Sequence, residues 1–321
     1  MRRPLAVLAA LAAGLAAAGC SADAPGPVRA EPGTPSPAVA GSPGCGKPSP
    51  GSGRHAFGGR AYSLTLPAYD GVKPVPLILD LHGLHSNGFQ QALYGRLGSA
   101  GPQRGFAVVE PEAAPGRDGW KLPGMADGSA DTAYMGRLLD HLERTLCVDR
   151  GREFAAGFSN GAGLSAALVC GLRGRLAGIA PVAGINLARP CAGAKPTTIV
   201  AFHGDADRVV PYRGGEPFGG NRTQVPGWMR PLDGRFHLPS VPGLTAQWAR
   251  AFGCRPAVAD TIGGEVRRER HAGCRGGRTV ELYTVAGGGH TWPGSIAIGA
   301  GRTTTRVDAT RIALDAFAAA R

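Results

Sequence analysis

Short apolar runs recur along the chain, separated by stretches whose apolar residues fall at helical spacing. Residues 61–66 alternate apolar with polar, and 76–81 (P-L-I-L-D-L), 106–109, 154–158, 176–182, 197–202 and 280–285 are nearly continuous apolar runs. Alternation reads as a strand with one face buried, and a continuous run bounded by turn residues reads as a strand buried on both faces. Between them, 131–146 carries Tyr134, Leu138, Leu142 and Leu146 on one helical face, 162–172 is a small-residue helix, 244–252 is helical in character, and 307–320 closes the chain as an amphipathic helix. Strands alternating with helices predict an α/β fold with a mostly parallel central sheet flanked by helices, in one domain.

In such sheets functional groups gather at the carboxyl ends of strands. Four runs end in residues with chemistry to offer. The run 76–81 leads into His82-Gly83-Leu84, 154–158 into Ser159, 197–202 into His203-Gly204-Asp205-Ala206-Asp207, and 280–285 into Gly287-Gly288-Gly289-His290. Gly157-Phe158-Ser159-Asn160-Gly161 has the form of a nucleophile elbow, a tight strand-to-helix turn in which side chains two positions either side of the serine would collide with neighbouring backbone. A serine hydroxyl is a poor nucleophile near neutral pH and needs a base, which in turn needs an acid to orient it. His290 follows a late strand and a turn flexible enough to bring its ring back over the sheet edge, and Asp207 is the acid in the spacing H-G-x-x-D-x-x-x-P. Asp205 is the competing acid and is assigned to the turn; Asp80 lies inside a strand, and Asp131 begins a helix, where Asp is a common N-cap. The backbone N–H groups of Leu84 and Asn160 are the expected oxyanion donors. His82 and His85 have the types but not the partners of a metal pair, and no metal site is expected.

L-H-G (81–83), G-F-S-N-G (157–161), A-P-V-A-G (180–184), F-H-G-D-A-D-R-V-V-P-Y (202–212) and G-G-G-H-T-W-P-G (287–294) occur in this order. Together they resemble the polyhydroxybutyrate depolymerase and feruloyl esterase family of secreted α/β-hydrolases, related to carbohydrate esterase family 1, from about Cys45 to the C-terminus. The resemblance implies a triad of Ser159, Asp207 and His290 and hydrolysis of a carboxylic ester through an acyl-enzyme, with no cofactor. Two positions depart from the family's pattern: Asp205, where a small hydroxyl residue is usual, and Ala162, where a glycine often extends the elbow. Trp292, Tyr212 and Trp120 follow strand ends and are the expected substrate contacts, each with packing as its alternative. An aliphatic polyester or oligoester is the first expectation, and a feruloylated or acetylated polysaccharide the second. No segment reads as an adsorption domain, which favours small soluble esters or oligomers. A binding lipoprotein without catalysis is a third expectation, disfavoured because binding needs no such ensemble.

The ends of the chain set its location. Residues 1–19 begin with two arginines and continue almost wholly in Leu, Ala, Val and Gly, as a signal peptide does. They end at Ala17-Ala18-Gly19-Cys20, similar to a lipobox, which makes Cys20 the site of lipid attachment and the only link to a membrane; an ordinary secretory signal is the alternative. Residues 20–53 are rich in Pro, Gly, Ser and Ala and predict a tether, leaving 54–321 as the catalytic domain. Beyond Cys20, six cysteines in an exported chain predict three disulfides; Cys254 pairs with Cys274 across a hairpin-like segment, and the pairing of Cys45, Cys147, Cys170 and Cys191 stays open. The net charge is +12, but the arginines are scattered, and Arg267-Arg268-Glu269-Arg270 reads as a solvated face rather than a nucleic-acid site. The expected location is outside the cytoplasm, at the cell surface or secreted.

Overall fold

Both faces of the central strands are buried, which is why their sequences are almost continuously apolar. The computed structural model describes residues 41–320; the leader 1–19, Cys20 and the tether before residue 41 lie outside the described residues. The strands are β1 (Gly53–Phe57), β2 (Arg60–Thr65), β3 (Val75–Leu81), β4 (Ala107–Pro111), β5 (Val148–Phe158), β6 (Leu176–Val182), β7 (Thr198–Gly204), β8 (Val258–Ile262), β9 (Val266–His271) and β10 (Val280–Val285). The α-helices are α1 (Gly88–Gly95), α2 (Leu97–Ala100), α3 (Ala130–Thr145), α4 (Asn160–Gly171), α5 (Val241–Ala251) and α6 (Ala309–Ala319).

Successive strand residues point to opposite faces and so enter two cores. Leu77, Leu79 and Leu81 of β3 pack with Leu138 of α3, Leu164 of α4 and Trp248 of α5, while Ile78 joins Leu97 of α2 and Phe317 of α6. The strand order is β1-β2-β4-β3-β5-β6-β7-β10-β9-β8. From β4 through β10 the neighbours are parallel, and an antiparallel ribbon closes each end. The chain leaves β3 for β4 on one side and returns to β5 on the other. The crevice at this reversal opens at the ends of β3 and β5, where α/β sheets bind their ligands.

Three disulfides join Cys45 to Cys147, Cys170 to Cys191 and Cys254 to Cys274. The last is the pair expected from sequence, and all three fit an oxidising compartment outside the cytoplasm. The first corrects the tether boundary. Residues 41–53, assigned to the tether by composition, are fixed to the domain by that disulfide and by Ser42, whose Oγ accepts from the Val148 N–H at 2.9 Å. On the outer ribbon Arg267, Arg268 and Arg270 pair with Glu269, Asp260 and Glu281, as a solvated face requires.

Candidate active site

Ser159 stands between β5 and α4 with φ 55° and ψ −117°, a backbone conformation that L-residues avoid. The strain is held by close packing around the turn. A Cβ on Gly161 would strike the carbonyl oxygens of Leu81 and His82, and one on Gly157 would strike the Gly161 carbonyl. Only glycine at both positions lets the elbow pass this close to β3. The Ser159 N–H donates to the Val182 carbonyl at 2.8 Å, which ties the turn to β6.

The loop after β10 carries His290 back to Ser159. Its Nε2 lies 2.8 Å from the Ser159 Oγ and its Nδ1 2.7 Å from Asp207 Oδ2. In the tautomer these partners favour, Nδ1–H donates to the carboxylate and Nε2 accepts from the hydroxyl. Asp207 Oδ1 accepts from the N–H groups of Val209 and Val210, at 2.8 and 2.9 Å. Burial pushes this carboxyl up, but the positive charge His290 carries when protonated and hydrogen bonds from His203 and His290 outweigh it. The group is held well below the usual carboxylate range and stays ionised. Asp205 is exposed and accepts from the Gly287 N–H at 2.6 Å, so it serves the turn as expected.

Sequence reasoning did not assign His203 a part in the site. Its Nε2 lies 3.3 Å from Asp207 Oδ2 and donates to the Val210 carbonyl at 2.8 Å, closing the turn around the acid. The motif that located Asp207 contains His203, but a histidine acting through another residue leaves no pattern of its own. The Asn160 side chain was also missed. Its Oδ1 accepts from the Trp120 N–H at 2.6 Å and its Nδ2 donates to the Trp120 carbonyl at 3.0 Å, clamping the 117–125 loop to the elbow.

Gly83 brings the turn after β3 to within ordinary contact of Ser159; a Cβ there would lie 3.5 Å from the serine Cβ. Among the described residues no acceptor takes the Leu84 N–H, and Leu84 lines the same cleft as Ser159. His82 Nδ1 hydrogen-bonds the Gly83 carbonyl at 2.7 Å, and its ring lies against Trp120. Burial lowers the His82 pKa against the effect of that bond. His85 pairs with Asp118 at the edge of the same cleft. Among the described residues no three His, Cys, Asp or Glu side chains are grouped to hold a metal. Asp131 is not the N-cap of α3; Ser129 is, and the Asp131 carboxylate instead receives Arg60 and Arg117.

Three expected substrate contacts are corrected. Trp292 is fully buried, its indole N–H bonded to Thr310 Oγ1 at 3.0 Å and its ring packed against Tyr94. Trp120 is fully buried, donating to the His82 carbonyl at 2.8 Å. Tyr212 is spent on the Thr284 hydroxyl at 2.9 Å and does not line the cleft. Large rings with one polar edge were needed beneath the strand ends as anchors, and position after a strand does not separate an anchor from a contact. The cleft, about 460 Å³, holds Ser159 and His290 and is lined by aliphatic and aromatic groups, with His85, Ser86, Gln90 and Gln91 as its polar side chains.

A buried serine bonded to an imidazole that is oriented by a fixed carboxylate can attack a carbonyl carbon and return the proton to a leaving group. A family model described as esterase PHB depolymerase matches residues 60–210. A probable feruloyl esterase C of Aspergillus niger is 32% identical over 201 residues, which cover 58% of this chain and 71% of that protein. Feruloyl esterase C of Emericella nidulans is 32% identical over 185 residues, 55% of this chain and 66% of the relative. Among solved structures, acetyl xylan esterase from Aspergillus awamori aligns over 72% of this chain and 89% of its own with a TM-score of 0.51; at 14% identity the likeness is one of fold.

Proposed function

Because the chain belongs to the polyhydroxybutyrate depolymerase and feruloyl esterase family of α/β-hydrolases and is a serine esterase, we propose that Ser159, His290 and Asp207 form its catalytic triad. The observation that carries this reading is the unbroken relay of 2.8 and 2.7 Å from Oγ through the imidazole to the carboxylate. Ser159 Oγ attacks the ester carbonyl as His290 Nε2 takes its proton, and the carbonyl oxygen becomes an oxyanion facing the N–H groups of Leu84 and Asn160. Collapse of the tetrahedral species breaks the C–O bond of the alcohol, which leaves with the proton from His290. Water then attacks the acyl-serine, giving its proton to His290; the acid leaves and Ser159 is restored.

The first substrate reading is an aliphatic hydroxyacid polyester or its oligomers, supported by the matching family model. The second is a feruloyl or acetyl ester of a polysaccharide, supported by the names of the relatives. Release of 3-hydroxybutyrate from amorphous polymer and of ferulate from methyl ferulate, measured on one preparation, separates them. Export with acylation at Cys20 is part of the reading, and a mass measurement on the mature N-terminus tests it. The triad is tested by p-nitrophenyl acetate turnover: Ser159→Ala and His290→Ala lower kcat by roughly 10⁴-fold or more with unchanged circular dichroism. Wild-type-like turnover by either variant rejects the assignment.

A further inference from the structure

Three of the large hydrophobic side chains left exposed among the described residues stand at the same cleft. Leu93 is 63% exposed, Ile296 72% and Ile298 46%, and all three line the cavity that holds Ser159 and His290. Leu93 comes from α1, and the two isoleucines come from the loop after His290. Val209, Phe218 and Phe158 continue the apolar lining. Exposed branched aliphatic groups on two separate segments, converging on a nucleophile, gain most when a ligand covers them.

Several polar groups of this wall are engaged within the protein. Ser86 Oγ donates to Gln90 Oε1 at 2.9 Å, and Gln91 Nε2 donates to Asp80 Oδ1 at 2.8 Å. A hydroxylated, methoxylated ring must find partners here for its polar groups, whereas an alkyl chain has no polar group to leave unpaired. The fully buried Trp120 and Trp292 take no part in the lining, whose rings are those of Tyr94, Phe158 and Phe218.

We propose that this cleft is an acyl subsite for an aliphatic chain of about six to eight carbons, with Leu93, Ile296 and Ile298 as the residues that set chain-length specificity. The inference rests on the esterase reading and narrows it to medium-chain aliphatic acyl groups, ahead of acetyl and feruloyl. Full burial of a methylene is worth about fourfold in affinity and partial cover in an open cleft roughly twofold. Four added methylenes therefore raise kcat/KM by about tenfold or more.

The test is a p-nitrophenyl ester series from acetate to octanoate, in which only the acyl group changes, beside methyl hexanoate and methyl ferulate, which share one alcohol. The expected result is a rise in kcat/KM from acetate to hexanoate or octanoate, carried by a falling KM, with methyl ferulate below methyl hexanoate. Leu93→Ala/Ile296→Ala lowers the octanoate-to-acetate ratio of kcat/KM by about five- to tenfold. Val258→Ala, at an exposed apolar position on β8 outside the cleft, leaves that ratio unchanged. A flat or falling series, an unaltered ratio in the double variant, or preference for methyl ferulate overturns the proposal. So does a series flat in acyl length but steep when the alcohol is lengthened from ethyl to hexyl acetate. Hydrolysis of acetate with any of these outcomes leaves the esterase reading standing, while hydrolysis of no ester removes both.

Discussion

Asp207 earns its role from its surroundings more than from its type. Two backbone N–H groups hold one carboxylate oxygen, His203 and His290 face the other, and the charge persists in a buried site. Asp207→Asn preserves size but offers an amide where His290 needs an acceptor for Nδ1–H. Its kcat is expected to fall by roughly 10³–10⁴-fold, while Asp205→Asn, which disturbs only a surface turn, stays within about twofold in the same steady-state assay. The meeting of Ser159, Asp207 and His290 was legible because each ends a strand run in a recognisable turn. The support given by His203 and the Asn160 side chain was not, since hydrogen bonds made through three-dimensional folding carry no spacing rule.

At the scale of elements, strands were easier to read than the helix that matters most to the cleft. Burial on both sheet faces writes β3, β5, β6 and β7 as apolar runs. Helix α1 is inverted: its buried residues are Gly88, Gln91, Tyr94 and Gly95, while Phe89 and Leu93 point outward. No apolar stripe marks a core face, so periodicity overlooks it. Beneath α1 and α2 lie two carboxyls on neighbouring strands, Asp80 and Glu110. Burial raises both, Asp80 further through the Glu110 charge and against its bond from Gln91; Glu110 is pushed up to about 7. Between its ordinary pKa of 4.5 and about 7 the folded protein keeps a Glu110 proton that the unfolded chain has released. Stability therefore falls as pH rises through this window and remains lowered above it. Glu110→Gln removes the charge in both states. Its stability gain over wild type, measured by urea unfolding, is expected near zero at about pH 4 and on the order of 1–3 kcal/mol at about pH 8.

At the scale of the molecule, the mostly parallel sheet brings four strand ends, distant in sequence, to one rim. That architecture followed from counting apolar runs against helical stretches. The start of the domain did not, because residues 41–53 are held by a covalent link and by hydrogen bonds rather than by apolar burial, and their composition matches a tether. The Cys45–Cys147 disulfide spans 102 residues and constrains the unfolded chain more than the 20- or 21-residue links. Cys45→Ala/Cys147→Ala is expected to lose about 2–5 kcal/mol in denaturant unfolding, with kcat retained where the variant is folded. On the proposed reading, the whole arrangement makes the Ser159 hydroxyl nucleophilic. Reaction with a fluorophosphonate probe, followed by peptide mass mapping, tests this most directly. The account predicts a single adduct on Ser159, lost in Ser159→Ala and strongly slowed in His290→Ala; an unlabelled wild type, or an adduct on another residue, would contradict it.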